Sequence, residues 1–266
     1  MKRRSFVKAS LLSATVSSII PLENKAAKTD LNKNSKQEFY ELRVYTFKTA
    51  EQEKITEDYF VNAAIPAFNR LGSKSIGVFK ELKPEGQTKL FVIIPFTSIE
   101  DFILANEKLL KDPVYMAAGA DYLNATAAAP AYERIESSLL KAFEHMPEII
   151  PPVKKSRIFE LRRYESATEM TGKKKIEMFN DKGEIDIFKR TGFAPVFFGE
   201  TIFGALRPNL TYMITFDDMA GHDAHWKMFG SDPEWKKISS VPEYADARIV
   251  SHISSTFLVP AECSQI

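Results

Sequence analysis

Phe39-Tyr40-Glu41-Leu42-Arg43-Val44-Tyr45 returns as Ile158-Phe159-Glu160-Leu161-Arg162-Arg163-Tyr164, with the second glutamate 119 residues after the first. Phe68-Asn69-Arg70-Leu71-Gly72 likewise returns as Phe188-Lys189-Arg190-Thr191-Gly192, 120 residues later. Asp112-Pro113-Val114-Tyr115 returns as Asp232-Pro233-Glu234-Trp235 at the same offset of 120. An offset held across most of the chain predicts two copies of one structural unit.

Composition narrows the class of protein around this repeat. The 266 residues are 44% hydrophobic and 27% charged, with a formal net charge of +1, which is ordinary for a globular protein. Because no basic stripe interleaved with aromatic residues occurs, we expect no nucleic-acid partner. The single cysteine, Cys263, cannot form a disulfide framework or a multi-cysteine metal site within one chain.

The N-terminus has the layout of an export signal. Arg3-Arg4-Ser5-Phe6 resembles the bacterial twin-arginine motif, and a weakly apolar run follows at residues 9–20. That run is too short and too polar to span a bilayer, so we expect no stable membrane span in the mature protein. We therefore predict a twin-arginine signal peptide at residues 1–27, a polar linker at 28–37, and a periplasmic location.

The order of predicted elements in each half is β-α-β-β-α-β, the ferredoxin-like unit. Repeat 1 is predicted at residues 38–144 and repeat 2 at 157–260, joined by a proline-rich linker at 145–156. One such sheet leaves a face uncovered, and two copies can pack their open faces together. The predicted fold class is α+β, with two tandem ferredoxin-like repeats forming an intramolecular dimeric α/β barrel.

Strand alternation divides the side chains of the opening strands. Glu41, Arg43 and Tyr45 share one face, as do Glu160, Arg162 and Tyr164 in the second copy. Because the alternate residues of the first strand, Tyr40, Leu42 and Val44, suit a face under helices, the polar triplets are predicted to face the opposite sheet. Two interpretations stay open: structural Glu–Arg bridges that fix register, or the polar lining of a ligand cavity.

Histidines supply further candidates. His222 and His225 share a helix face and could reach one ion, but spacing fixes no third ligand, so no metal site is predicted. His252 in the last strand is predicted to point into the barrel with Glu160 and Arg162. There it suits a general base or a haem ligand, and equally a core histidine with a hydrogen bond.

The sequences Tyr40-Glu41-Leu42-Arg43-Val44-Tyr45 and Phe159-Glu160-Leu161-Arg162-Arg163-Tyr164 resemble the opening strand of the NIPSNAP family. Residues 225–235, which include Trp226 and end in Asp-Pro-Glu-Trp, resemble its helix signature. Repeat 1 has Asn106 in place of Trp226 and Tyr115 in place of Trp235. The resemblance implies a dimeric α/β barrel without a firmly assigned activity, and places His222 at a pocket rim or interface, where the family commonly has arginine.

The sequence favours a small organic ligand bound in the cavity between the repeats, where Arg43 and Arg162 would hold an anionic group if the ligand has one. The predicted binding residues are Glu41, Arg43, Tyr45, Arg162, Tyr164, His222 and Trp226. One alternative is a barrel-type enzyme, a cofactor-free oxygenase, isomerase or lyase or a haem-handling protein, that uses His252 or Glu160. Another is a protein-interaction module. No motif identifies a cofactor, and homodimerisation stays open.

Overall fold

The computed structural model describes residues 36–266, so the predicted signal peptide lies outside the described residues. Repeat 1 contains strands β1 to β4 and repeat 2 contains β5 to β8. The strands are β1 Phe39–Thr46, β2 Gly77–Glu81, β3 Lys89–Phe96, β4 Arg134–Ala142, β5 Ile158–Glu165, β6 Ala194–Phe203, β7 Asn209–Phe216 and β8 His252–Pro260. The helices are α1 Ala50–Tyr59, α2 Ile65–Arg70, α3 Ile99–Leu110, α4 Pro113–Ala118, α5 Ala120–Leu123, α6 Glu169–Asn180, α7 Glu184–Arg190, α8 Met219–Ser231, α9 Pro233–Ser239 and α10 Asp246–Ile249.

The eight strands form one closed antiparallel barrel in the order β1-β3-β2-β8-β5-β7-β6-β4. Each repeat contributes four neighbouring strands, and the two sheets join through the β2–β8 and β4–β6 pairs. The predicted fold class, two ferredoxin-like repeats closed into one α/β barrel, is therefore confirmed. Closure also removes the open sheet edges that a single repeat would expose.

The barrel interior is an apolar core built by both repeats. Tyr40, Leu42 and Val44 of β1 pack there with Phe159 and Leu161 of β5. The predicted orientation of the opening strands was therefore wrong, because the apolar set faces inward and the polar triplets face the helices. The polar triplets can lie under the helices because each glutamate there has an arginine and a serine as partners, which offsets the cost of burying its charge. Side chains of both repeats pack together in the interior between the two sheets.

Helices cover the outer face of each sheet, and glycine and proline interrupt them. The helix predicted over residues 51–71 contains a π-helical segment, Phe60–Ala64, just before Pro66. The helix predicted over residues 169–191 breaks at Gly183, whose φ of 86° is a left-handed conformation that glycine adopts without steric cost. Among residues 36–266 no helix is long and apolar enough to cross a membrane.

Candidate functional site

Two clefts lie between the sheets and their helices, one in each repeat. The repeat-2 cleft, of about 260 Å³, is lined by Arg162, Tyr164, Lys175, Glu184, Trp226, Phe229, Gly230, Trp235, Asp246 and Ile253. The repeat-1 cleft, of about 310 Å³, is lined by Glu41, Arg43, Tyr59, Phe68, Phe102, Ile103, Ala105, Asn106, Leu109 and Tyr115. The two polar triplets therefore belong to separate sites and do not meet across the barrel.

Arg162 forms one wall of the repeat-2 cleft. Its Nη1 donates to Glu160 at 2.7 Å and its Nη2 donates to the Tyr164 hydroxyl at 3.2 Å. The guanidinium carbon lies 4.7 Å from the ring centre of Trp226, within the range of a cation–π contact. Its Nε is buried and has no acceptor within the described part of the chain. One donor of this arginine therefore has no protein acceptor among residues 36–266.

Lys175 brings a second, almost fully buried cation to the same cleft. Its ammonium lies 5.2 Å from the ring centre of Tyr164 and 5.5 Å from that of Trp235. The nearest carboxylate oxygens, of Glu184 and Asp246, are 3.5 and 3.6 Å away. These distances exceed the usual 2.7–2.9 Å of a charge-assisted hydrogen bond. Lys175 is therefore close to counter-charges without a short bond to either.

Glu184 is the anionic partner of Lys175, and its side chain is 3% exposed. Burial raises its pKa to about 7, although Lys175 opposes the shift, and the nearby Asp246 raises it further. Burial alone would lower the pKa of Lys175, but Glu184 and Asp246 outweigh it and raise that pKa instead. The cleft therefore holds a carboxyl group that changes charge near neutral pH beside an ammonium that does not.

Glu160 lies behind Arg162 and is 1% exposed. Its Oε1 accepts hydrogen bonds from Arg162 and from Ser255 Oγ, the latter at 2.6 Å. Its Oε2 is 3.4 Å from His222 Nε2, and neither atom has a hydrogen-bond partner within residues 36–266. The other ring nitrogen of His222 lies 2.8 Å from Asp223 Oδ1. The structure thus brings His222 and Glu160 together, which their sequence spacing does not indicate.

Trp226 and Trp235 form the aromatic walls of the repeat-2 cleft and are held by a capped turn. Asp232 accepts from the backbone N–H groups of Glu234 and Trp235, which fixes the start of α9. Arg190 binds the same carboxylate through two N–H groups, at 2.9 and 2.7 Å. The Asp-Pro-Glu-Trp turn therefore sets the position of Trp235.

Repeat 1 contains an equivalent glutamate–arginine ion pair, between Glu41 and Arg43, with different neighbours. Arg43 donates to Glu41 at 2.7 Å, and Ser137 donates to the other oxygen of Glu41 at 2.8 Å. Tyr45 is fully buried under the helices, and its hydroxyl accepts from Tyr122 at 3.3 Å. Glu41 and Arg43 therefore line the repeat-1 cleft, whereas Tyr45 lies beneath it.

His252 lies at the first position of β8, paired with Glu165 and exposed to solvent. The predicted orientation of His252 towards the inner face of the barrel was correct, because it lies six residues before Leu258 of the barrel core on the same strand. The predicted cluster with Glu160 and Arg162 was wrong, because those side chains point to the opposite, helix-covered face, where Ser255 meets them. Strand alternation predicted the face of β8 correctly and that of β5 incorrectly. The wrong orientation of β5 therefore explains why His252 was grouped with Glu160 and Arg162.

Four polar residues at the repeat-2 site were not predicted from the sequence: Lys175, Glu184, Asp246 and Ser255. Lys175 stands in a run of three lysines that resembles a solvated surface. A signal was available, because Met178 and Phe179 follow it at helical spacing and place it on the apolar face of α6. Within residues 36–266 no three His, Cys, Asp or Glu side chains cluster as metal ligands would.

Comparisons with known proteins agree with the barrel. A protein-family model described as NIPSNAP matches residues 40–147 and again residues 159–265. No curated protein matches the chain.

Among solved structures, a candidate monooxygenase from Fusobacterium nucleatum aligns with a TM-score of 0.57 at 11% identity, covering 85% of this chain and 93% of its own. A second candidate monooxygenase, from Lactobacillus acidophilus, gives 0.55 at 10% identity, with coverages of 84% and 94%. An anthrone oxidase-like protein gives 0.50 at 13%, with coverages of 86% and 93%. At these identities the likeness concerns the fold alone.

Proposed function

The chain belongs to the NIPSNAP family, and from that premise we propose that it binds a small aromatic organic acid in the repeat-2 cleft. The observation that carries the proposal is a cleft with aromatic walls in which two cations, Arg162 and Lys175, lie with Glu184 and Asp246. Burial raises the pKa of Glu184 to about 7, so this carboxyl group is partly uncharged at neutral pH. Arg162 retains a buried donor without an acceptor, and Lys175 has no short partner. A ligand carboxylate or phenolate would accept from Arg162 and would add a closer counter-charge to Lys175, whose hydrogen bond to Glu184 is long at 3.5 Å.

The walls favour a flat ligand body. Trp226, Phe229 and Trp235 line the cleft together, and aromatic rings pack well in offset or edge-to-face contact with one another. The volume of about 260 Å³ is at the lower end for small-molecule sites, which favours a ligand of one or two rings. Gly230 leaves the wall of the cleft open, since an added Cβ there would meet nothing within 4 Å.

Tryptophan fluorescence offers a direct test, because both tryptophans of the chain line this cleft. Benzoate, salicylate and 2-naphthoate should each cause a saturable change in the wild type. Arg162→Met should weaken binding about tenfold or more, as expected for losing a charge-assisted hydrogen bond of about 1.5–3 kcal/mol. Arg43→Met, the matched change in repeat 1, should leave the titration unaltered. No saturable change at millimolar concentrations in correctly folded wild type would refute the proposal.

A barrel-type enzyme is the second candidate, and one observation favours it. Buried Glu160 and half-buried His222 lie 3.4 Å apart, and the two atoms that face each other have no hydrogen-bond partner within residues 36–266. A carboxylate beside an imidazole is a common arrangement for moving a proton during catalysis. Glu160 could then act as the base of a cofactor-free oxygenase, isomerase or lyase. His252 has no part in this version because it is exposed on the other face, and a haem site loses its predicted ligand with it.

Export, homodimerisation and the interaction-module alternative stay predictions. The export proposal rests on Arg3-Arg4 and the apolar run that follows them in the sequence. N-terminal sequencing of the protein recovered from its native cell would test it, and a chain that still begins at Met1 would contradict it.

A further inference from the structure

The repeat-1 cleft is as large as the cleft assigned above and has different chemistry. Its volume is about 310 Å³, against about 260 Å³ in repeat 2. The shared part is a Glu–Arg–Ser unit: Glu41 accepts from Arg43 at 2.7 Å and from Ser137 at 2.8 Å. In repeat 2 the same bonds measure 2.7 and 2.6 Å. The scaffold of the site is therefore retained in both copies.

Repeat 1 has no charged residue at the positions equivalent to Lys175 and Glu184 of repeat 2. Thr49 and Thr168 cap the first helices of the two repeats. When the repeats are aligned at these caps, Thr56 is equivalent to Lys175. Thr56 is fully buried, and its hydroxyl donates to the carbonyl of Ala131 at 2.9 Å. The position 120 residues before Glu184 is Ala64. Each member of the buried Lys175–Glu184 pair is thus replaced by an uncharged residue.

Uncharged polar groups take their place. The hydroxyls of Tyr59 and Tyr115 are 2.9 Å apart, and the ring of Tyr59 stacks on Tyr122 at 3.9 Å between ring centres. Burial, with the neighbouring Tyr115 hydroxyl, raises the pKa of Tyr59 well above its ordinary value, so the phenol stays neutral. Asn106, where repeat 2 has Trp226, adds an amide at the rim. The lining therefore offers hydrogen bonds without a second cation.

Arg43 supplies the donor that points to a ligand. Its Nε is buried and finds no acceptor within residues 36–266, as in Arg162. Its positive charge is balanced by Glu41 at 2.7 Å, as that of Arg162 is by Glu160, but the described residues that line the repeat-1 cleft include no second cation. A carboxylate placed here would meet Glu41 with no further cation to offset the repulsion. A carbonyl oxygen can accept from Arg43 without introducing a charge.

We infer that the repeat-1 cleft is a second binding site, which takes an uncharged, flat carbonyl compound such as an aromatic amide or ketone. The carbonyl oxygen accepts from Arg43, the ring lies against Phe68 and Phe102, and the Tyr59–Tyr115 hydroxyls and Asn106 meet its remaining polar edge. The inference is independent of the repeat-2 ligand, because it uses residues of the other cleft.

Benzamide and benzoate test the inference, since they share a shape and differ in charge. Saturation-transfer NMR should detect benzamide on the wild-type protein, with no change in tryptophan fluorescence because both tryptophans lie in repeat 2. Asn106→Trp should block the cleft and abolish the benzamide signal. It changes an exposed residue of α3 and leaves the buried ion pair intact, so the fold should be retained. Arg43→Met should lower the signal severalfold in a protein with unchanged circular dichroism.

Arg162→Met and Gly230→Leu, which alter only repeat 2, should leave benzamide binding unchanged. Three outcomes would overturn the inference: no benzamide signal, a benzamide signal that survives Asn106→Trp, or benzoate binding that Asn106→Trp removes. These outcomes are separable from failure of the repeat-2 proposal, which concerns benzoate and tryptophan fluorescence alone.

Discussion

At the scale of single residues, the ion pairs and the buried lysine determine what each cleft can bind. The sequence identified Glu41, Arg43, Glu160 and Arg162 as special, because charged residues in an opening strand need partners. The sequence could not show which face of the strand they occupy. Both the inner and the outer face of these strands are covered, so the apolar residues could have packed on either. Lys175 was missed because it stands in a run of three lysines, although the spacing to Met178 and Phe179 places it on the apolar face of α6.

Glu184 provides a prediction that depends on pH. Its folded-state pKa of about 7 is above the ordinary value of 4.5, so the folded protein holds this proton more tightly than the unfolded chain. This contribution to the free energy of unfolding is complete below pH 4.5 and is lost as the pH rises through about 7. Denaturant unfolding from pH 4.5 to 8 should therefore show a less negative slope in Glu184→Gln than in wild type. The difference is at most about 1.4 kcal/mol per pH unit.

Asp186→Asn is the control for that measurement, because Asp186 lies on the same helix and is exposed. It should keep the wild-type pH slope. Equal slopes for wild type and Glu184→Gln would show that Glu184 does not titrate in this range.

At the scale of elements, short capped turns position the aromatic walls. Asp232 caps α9 and binds Arg190, and Asp112 caps α4 and binds Arg70 in repeat 1. The repeated Asp-Pro motif was visible in the sequence, and so was the restart of a helix after it. The pairing with an arginine 42 residues earlier was not, because it depends on how α2 and α7 pack.

Asp232→Ala should lower the free energy of unfolding by about 1 kcal/mol, the usual effect of removing a helix cap. It should also shift the tryptophan emission, because Trp235 loses the bond from its backbone N–H to Asp232. Glu234→Ala is the matched control, since Glu234 contacts the same Arg190 at 2.7 Å but is exposed and caps nothing. Its effect should stay within about 0.5 kcal/mol. Equal losses in the two variants would assign the effect to the ion pair rather than to the cap.

At the scale of the whole molecule, duplication provides both the barrel and a pair of unlike sites. The repeat in sequence was enough to predict two ferredoxin-like units and their closure, because each sheet has a face that only a second sheet can cover. The location of the ligand site was not predictable in the same way. It depends on which face the charges take, and packing of Tyr40, Phe159 and their neighbours fills the interior. The two clefts lie outside the barrel wall, where the residues of the two copies have diverged.

The most direct test of this account fills the repeat-2 cleft without touching its charged residues. Gly230 lies on α8 with open space around it, so Gly230→Leu should fold with equal or higher thermal stability. Calorimetric titration with benzoate should then show binding to the wild type and to Asn106→Trp, and none to Gly230→Leu. Benzoate binding to Gly230→Leu with wild-type affinity would contradict the central claim that the ligand lies between the sheet and helices of repeat 2.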